Sequence, residues 1–264
     1  MTVSTQDGVT PAQAGWKYLS FQVHRLAAGQ VLQGRSGDEE AVLVLLGGHL
    51  KFRLGEVSID APGRADVFSG LPYYGYLPRQ TDWRLEAVTP CEVAWGSAPT
   101  TQDHPARLLG PKDCQVEMRG ARNVERQITH LVDPGFGCHR LLCVEVYTPS
   151  GNWSSYPPHR HDAHDPPRQV KLEEVYYYRM APDGFAFQRL YGGSTDQVVM
   201  AKDRDVVLVR DGYHPVVAGP GYDIYYLNLL AGDHPSWAAA DDPDVAWVRG
   251  VWNSPQPLSL PMHP

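Results

Sequence analysis

From residue 16 onward the chain is a succession of short apolar runs cut by glycine and proline. In WKYLSFQVHRLAAG (16–29), Leu19, Phe21 and Val23 alternate with Tyr18, Ser20 and Gln22, the two-residue period of a half-buried strand. EAVLVLL (40–46) is continuously apolar, as in a strand covered on both faces, and Gly47-Gly48 is expected to end it. HLKFRLG, EVSIDAPG, ADVFSG and DWRLEAVTPCEVAWGSAP follow as further short strands up to about residue 99. Residues 100–113 are polar and proline-punctuated, in the manner of a linker. A second series then begins: RLLCVEVYTPSG (140–151), LEEVYYYRM (172–180), FAFQRLY (185–191), QVVMAK (197–202), DVVLVR (205–210) and YDIYYLNLLAG (222–232). No segment sustains a 3.6-residue apolar stripe. The pattern predicts an all-β protein of two tandem jelly-roll or small-barrel units, with one short helix expected around 236–240 and a polar start over 1–15.

Composition narrows this little. The chain has 264 residues, 42% hydrophobic and 20% charged, with 25 glycines and 23 prolines, which suits turns between strands. A formal net charge of -7 speaks against a nucleic-acid partner. No apolar run reaches membrane-spanning length, and no secretory leader pattern opens the sequence. Cys91, Cys114, Cys138 and Cys143 form no C-x-x-C pair and read as reduced and buried. Trp237, Trp247 and Trp252 are expected either to cap the core or to serve a homo-oligomer interface.

The chemistry concentrates in YPPHRHDAHDPPRQVKLEEVYYYR (156–179). An H-x-H pair on a strand aims His159 and His161 into one space. Glu174, Tyr176 and Tyr178 share a face of the next strand, and His214 follows a Gly-Tyr turn in VLVRDGYHPVVAGPG. A lone histidine is more often structural, but two His, a Glu and a third His form an N/O donor set for a divalent metal; Zn, Mn, Fe, Co and Ni all suit it. His164, in the polar excursion, reads as a surface-loop residue. The first half lacks H-x-H, and Tyr73, Tyr74 or Tyr76 stands where a ligand would be expected.

His159, His161, Glu174 and His214 resemble the metal motifs of cupins, although the spacer from Asp162 to Glu173 is twelve residues, longer than in many cupins, and leaves Glu173 competing with Glu174. GNWSSYPPHRHD, LEEVYYYR, GFAFQRLY and GYHPVVAGPGYDIYYLNLLAG, with GRADVFSGLPYY and RNVERQITHLVD, resemble the 5-deoxy-glucuronate isomerase family, bicupin sugar isomerases of myo-inositol catabolism in which the long spacer recurs. The resemblance implies a degenerate cupin domain over 1–110, a metal-binding one over 111–264, and conversion of the sugar acid 5-deoxy-D-glucuronate to 2-deoxy-5-keto-D-gluconate. A related 4-deoxy-uronate ketol-isomerase, a metal-dependent cupin dioxygenase and a non-catalytic sugar-binding cupin are the competing readings. For proton transfer the candidates are Glu173, Tyr176, Tyr178 and metal-bound hydroxide. For the substrate carboxylate they are Arg189 first and Arg179 second, with Tyr226 and Asn228 lining the cavity.

Overall fold

The computed structural model describes residues 8–252, almost entirely as strands and turns. Eight strands come from the first part: β1 (Ser20–Leu26), β2 (Val31–Arg35), β3 (Glu39–Leu54), β4 (Val57–Arg64), β5 (Tyr74–Leu77), β6 (Asp82–Ala87), β7 (Cys91–Pro99) and β8 (Arg107–Leu109). Twelve follow: β9 (Gln115–Arg119), β10 (Arg126–Val132), β11 (Leu141–Thr148), β12 (Trp153–Ser154), β13 (His159–Arg160), β14 (Glu173–Ala181), β15 (Ala186–Leu190), β16 (Gln197–Ala201), β17 (Val206–Val209), β18 (Val216–Ala218), β19 (Asp223–Ala231) and β20 (Ala240–Asp241).

The first eight strands pair only with one another, around the path β1-β7-β3-β5-β8. The others form a six-stranded sheet, β17-β14-β19-β11-β10-β9, a four-stranded sheet, β12-β18-β15-β16, and the small pair β13-β20. β3 does not stop at Gly47-Gly48 as expected. It runs through them with shifted register against β7 and β4, a bulge that lets one strand serve both halves of its sheet. Gly48 has φ +93°, and a Cβ there would lie 2.4 Å from the Pro90 carbonyl oxygen, so only glycine fits the bend.

Three large apolar layers result. Leu43, Leu45, Leu50, Phe52 and Leu85 fill the first unit, and Tyr176, Tyr178, Tyr226 and Val144 belong to the interior of the second. Between them, Phe21, Val42 and Tyr74 meet Tyr177, Tyr225, Leu227 and Leu229. Tyr74 and Tyr76 therefore face this junction and do not replace ligands inside the first unit. The Tyr76 hydroxyl donates to the buried Glu40, which also accepts the His139 and Arg140 backbone N–H groups.

Other expectations need correction. The stretch taken as a linker contributes β8, which pairs with β5. The N-terminal segment includes a one-turn helix at Pro11–Ala14, capped by Thr10. No helix forms at 236–240; β20 starts at Ala240, and a 3-10 turn spans Ala246–Gly250. All four cysteines are free, with Cys91 and Cys143 buried and Cys114 and Cys138 half-buried.

Candidate metal centre

β14 sets the site by its alternation. Glu174, Tyr176 and Tyr178 turn into the second unit, while Val175 and Tyr177 turn toward the junction. β19 beside it does the same, with Tyr226 and Asn228 inward and Leu227 and Leu229 outward. β13 carries His159 only, held by β20 through the pairs His159↔Asp241 and Arg160↔Ala240; His161, expected on the same strand, lies just past its end, where its carbonyl accepts the Leu172 N–H. His214 follows a turn that requires glycine: Gly212 has φ +76°, and a Cβ there would sit 2.3 Å from the Tyr191 carbonyl oxygen.

His161, Glu174 and His214 converge, with ligand-type atoms all within 4.8 Å of one another, and no other such trio occurs among the described residues. His161 Nε2 lies 2.9 Å from Glu174 Oε2, and His214 Nε2 lies 3.4 Å from the same oxygen. His159 is outside that span but adjacent, its ring centroid 4.8 Å from that of His214. Each imidazole uses Nδ1 on a backbone carbonyl: Pro157 at 3.2 Å for His159, Leu172 at 3.1 Å for His161 and Gly212 at 3.1 Å for His214. Donation from Nδ1–H leaves an Nε2 lone pair on His159 and His214, the tautomer a metal ligand needs, while His161 Nε2 meets the Glu174 carboxylate. His214 Nε2 is buried and lacks any hydrogen-bond partner, a costly arrangement unless a cation completes it. The residues therefore fit a divalent ion.

The electrostatics agree. Burial and the neighbouring His161 charge pull His159 down to about 4. Burial and the charges of His159 and His161 hold His214 well below its usual value. Burial also lowers His161, but the hydrogen bond and charge of Glu174 more than offset this and leave it raised. Two rings are thus neutral and ready to coordinate at pH 7.

His159, His161 and Glu174 open on a cavity of about 190 Å³, also lined by Ser155, Tyr176, Tyr226, Asn228, Trp237 and Asp241. Ser155 Oγ lies 2.8 Å from Tyr176 Oη and 3.3 Å from Tyr226 Oη. Burial, then the Glu174 charge, pushes the Tyr176 phenol far up, so it holds its proton at neutral pH.

Several expected site residues lie elsewhere. Glu173 points away from the cavity and accepts the backbone N–H groups of Lys17, Tyr18 and Leu19 at 2.6–2.9 Å, so it anchors the N-terminal segment and cannot act as base. Arg179 also turns outward, to Glu92 at 2.8 Å and Asp203 at 2.9 Å. Arg189 lies on the exposed face of β15, paired with Asp196 at 3.0 Å. Tyr178 is inside, but its hydroxyl donates to Gln188 and it does not line the cavity. His164 stacks with His234 at 4.7 Å on an outer groove. Sequence reasoning missed Arg126, His130, Ser155, Trp237 and Asp241. Their alternation carries no signal of its own, because each depends on which loop or terminal strand folds over the mouth.

Fold and site together define a cupin-like β protein in which His161, Glu174 and His214 converge, with His159 adjacent, beside a partly open cavity. The chain belongs to the KduI/IolB family, whose model matches residues 3–248. It is similar to 5-deoxy-glucuronate isomerase of Geobacillus thermodenitrificans (strain NG80-2), 46% identical over 91% of this chain and 89% of that relative. The protein of the same name from Bacillus subtilis (strain 168) is 35% identical over 91% of each. An IolB-like protein from Salmonella typhimurium LT2 superposes with a TM-score of 0.89 at 35% identity, covering 94% of this chain and 98% of that one. Oxalate decarboxylase of Bacillus subtilis, 13% identical with a TM-score of 0.62 over 89% of this chain and 74% of its own, shares the fold alone.

Proposed function

We propose that this chain is an aldose–ketose isomerase that converts 5-deoxy-D-glucuronate to 2-deoxy-5-keto-D-gluconate in inositol catabolism. The observation that carries the reading is the convergence of His161, Glu174 and the partnerless His214 Nε2 on one another, with His161 and Glu174 lining a cavity of about 190 Å³, in a chain whose relatives carry that isomerase name. The dioxygenase and the 4-deoxy-uronate alternatives are not favoured by those relatives.

In this reading His159, His161, Glu174 and His214 hold one divalent metal, and the N-terminal unit forms a companion barrel with no donor set among its described residues, 8–110. When bound, that ion supplies Lewis-acid polarisation of the carbonyl and the neighbouring hydroxyl, worth several kcal/mol toward an enediol. The reaction removes a proton from the carbon beside the aldehyde and returns one to the aldehyde carbon. Of the side chains expected to handle protons, only Tyr176 reaches the cavity. Its retained proton suits it to donate to the substrate oxygen that gains charge, with Ser155 orienting the hydroxyl. Tyr226 and Asn228 shape the wall, and Trp237 with Ala238 excludes water at the mouth. A cytoplasmic setting accompanies the reading. The four unpaired cysteines suit a reducing compartment, and among the described residues no helix is long and apolar enough to cross a membrane.

The test is an anaerobic NMR assay of 5-deoxy-glucuronate with metal-loaded protein in deuterated water. Turnover without oxygen and deuterium at the product's new methylene carbon support an isomerase working by proton exchange. No ketose formation, or formation only with oxygen, removes the reading.

A further inference from the structure

We propose that Arg126, at the start of β10, is the receptor for the substrate's carboxylate. It rests on the sugar-acid reading above. Arg126 lines the same cavity as the metal group and is only 4% exposed. Its Nη1 donates to the Val124 carbonyl at 2.9 Å and its Nη2 to the Tyr156 carbonyl at 3.1 Å. These are neutral acceptors, and among the described residues no carboxylate pairs with it.

Every other arginine facing this cavity is matched. Arg119 forks onto Glu117 at 2.7 Å for each arm. Arg249 forks onto Asp241, with Nη2–Oδ1 at 2.8 Å. Arg64, the other deeply buried arginine, is paired with Glu145. Among the described residues Arg126 alone is buried without an anion, and burial, the leading cause, pulls it down to about 10, so it stays charged at neutral pH with only two carbonyls and the Trp252 ring, 5.9 Å away, to offset its desolvation. A carboxylate entering the cavity would repair that deficit. A guanidinium pinned by two carbonyls presents a fixed fork, the geometry that takes a carboxylate bidentately. The substrate carries its aldehyde and its carboxylate at opposite ends of a six-carbon chain. Seating the acid at Arg126 therefore directs the aldehyde end toward His161, Glu174 and His214.

Arg126 could instead serve only as a strut, since Tyr156 precedes the turn that leads to His159. The experiment must separate these roles. Binding of D-glucuronate and of D-glucuronamide is measured by calorimetry on metal-loaded wild type, on Arg126→Gln and on Arg126→Lys, with metal content determined in parallel. Wild type is expected to prefer the acid over the amide by about a hundredfold, as for a buried charge pair. Arg126→Gln should erase that preference with the metal retained, and Arg126→Lys should keep part of it. Equal binding of acid and amide by wild type, or binding of neither, overturns the proposal without any variant. A preference that survives in Arg126→Gln also overturns it, as does loss of acid and amide binding in equal proportion, the mark of a strut. Acid preference in a protein that fails to isomerise 5-deoxy-glucuronate would leave Arg126 standing and remove the isomerase reading instead.

Discussion

At the scale of single residues, the carboxylates and arginines of this chain sort by partner, not by position in a motif. Glu173 and Glu174 are adjacent and opposite in role: one meets two imidazoles, the other three backbone N–H groups. Glu173→Ala should therefore cost about 1–3 kcal/mol of stability through loss of charge-assisted hydrogen bonds. Thermal unfolding would show it, while kcat/KM stays near wild type; a large fall in kcat at unchanged melting temperature would return Glu173 to the chemistry. Arg189→Ala, on an exposed ion pair, should leave both stability and KM within about twofold. Glu174 was legible because alternation along β14 places it on one face with Tyr176; the histidine pair was legible as a motif, although only His159 lies on a strand. Arg189 was not legible, because AFQRL offers Phe187 and Gln188 as rival guides to the inner face, and the inner one is Gln188. Arg126 was not legible either. RNVERQITH shows several charges, and which one is left unmatched depends on Glu117 and Asp241 arriving from other strands.

Among elements, β14 and the turn before His214 do most of the positioning. The alternation of LEEVYYYRM was readable from residue chemistry, and it accounts for the inward Glu174 and Tyr176 and the outward Tyr177 and Arg179. The strand β20 and the segment around Trp237 were not readable, since they owe their place to pairing with β13 and to a hydrogen bond from Trp237 to Asp133 at 2.8 Å. Gly212→Ala tests the turn. Forcing a side chain into φ +76° against the Tyr191 carbonyl should cost about 2 kcal/mol and move His214. The melting temperature would fall by roughly 4–8 °C and metal affinity would drop with it. An unchanged metal affinity would separate the turn from the centre.

Across the whole molecule, two β units are joined by buried carboxylates as well as by the apolar junction. Arg64 of β4 pairs with Glu145 of β11, which also accepts the Tyr147 and Tyr225 hydroxyls at 3.0 and 2.8 Å. Removing one partner strands a buried charge, so Glu145→Gln should cost about 3–5 kcal/mol, visible in chemical denaturation; a loss below 1 kcal/mol would show the pair to be dispensable. The histidines set the pH response. His159 and His214 have folded values below their unfolded ones, so the unfolded chain binds more protons as pH falls from about 6.5 toward 4. Their contribution is present above that window and lost through it. His161 acts oppositely, stabilising below 6.5, with its effect fading as pH rises through its raised value. With two rings against one, the metal-free protein should lose stability on acidification from pH 7 to 5, and thermal melts across that range would show it. A flat or rising stability would contradict the neutral, buried state of His159 and His214.

The central claim is that the imidazoles of His159, His161 and His214 and the carboxylate of Glu174 share one cation. Elemental analysis of purified protein and of His214→Ala, each after dialysis against trace divalent metals, addresses it most directly. One equivalent per chain in the wild type, and essentially none in a His214→Ala protein that keeps its β-sheet circular dichroism, is the predicted result. A full equivalent retained by that variant, or none in the wild type at saturating metal, would contradict it.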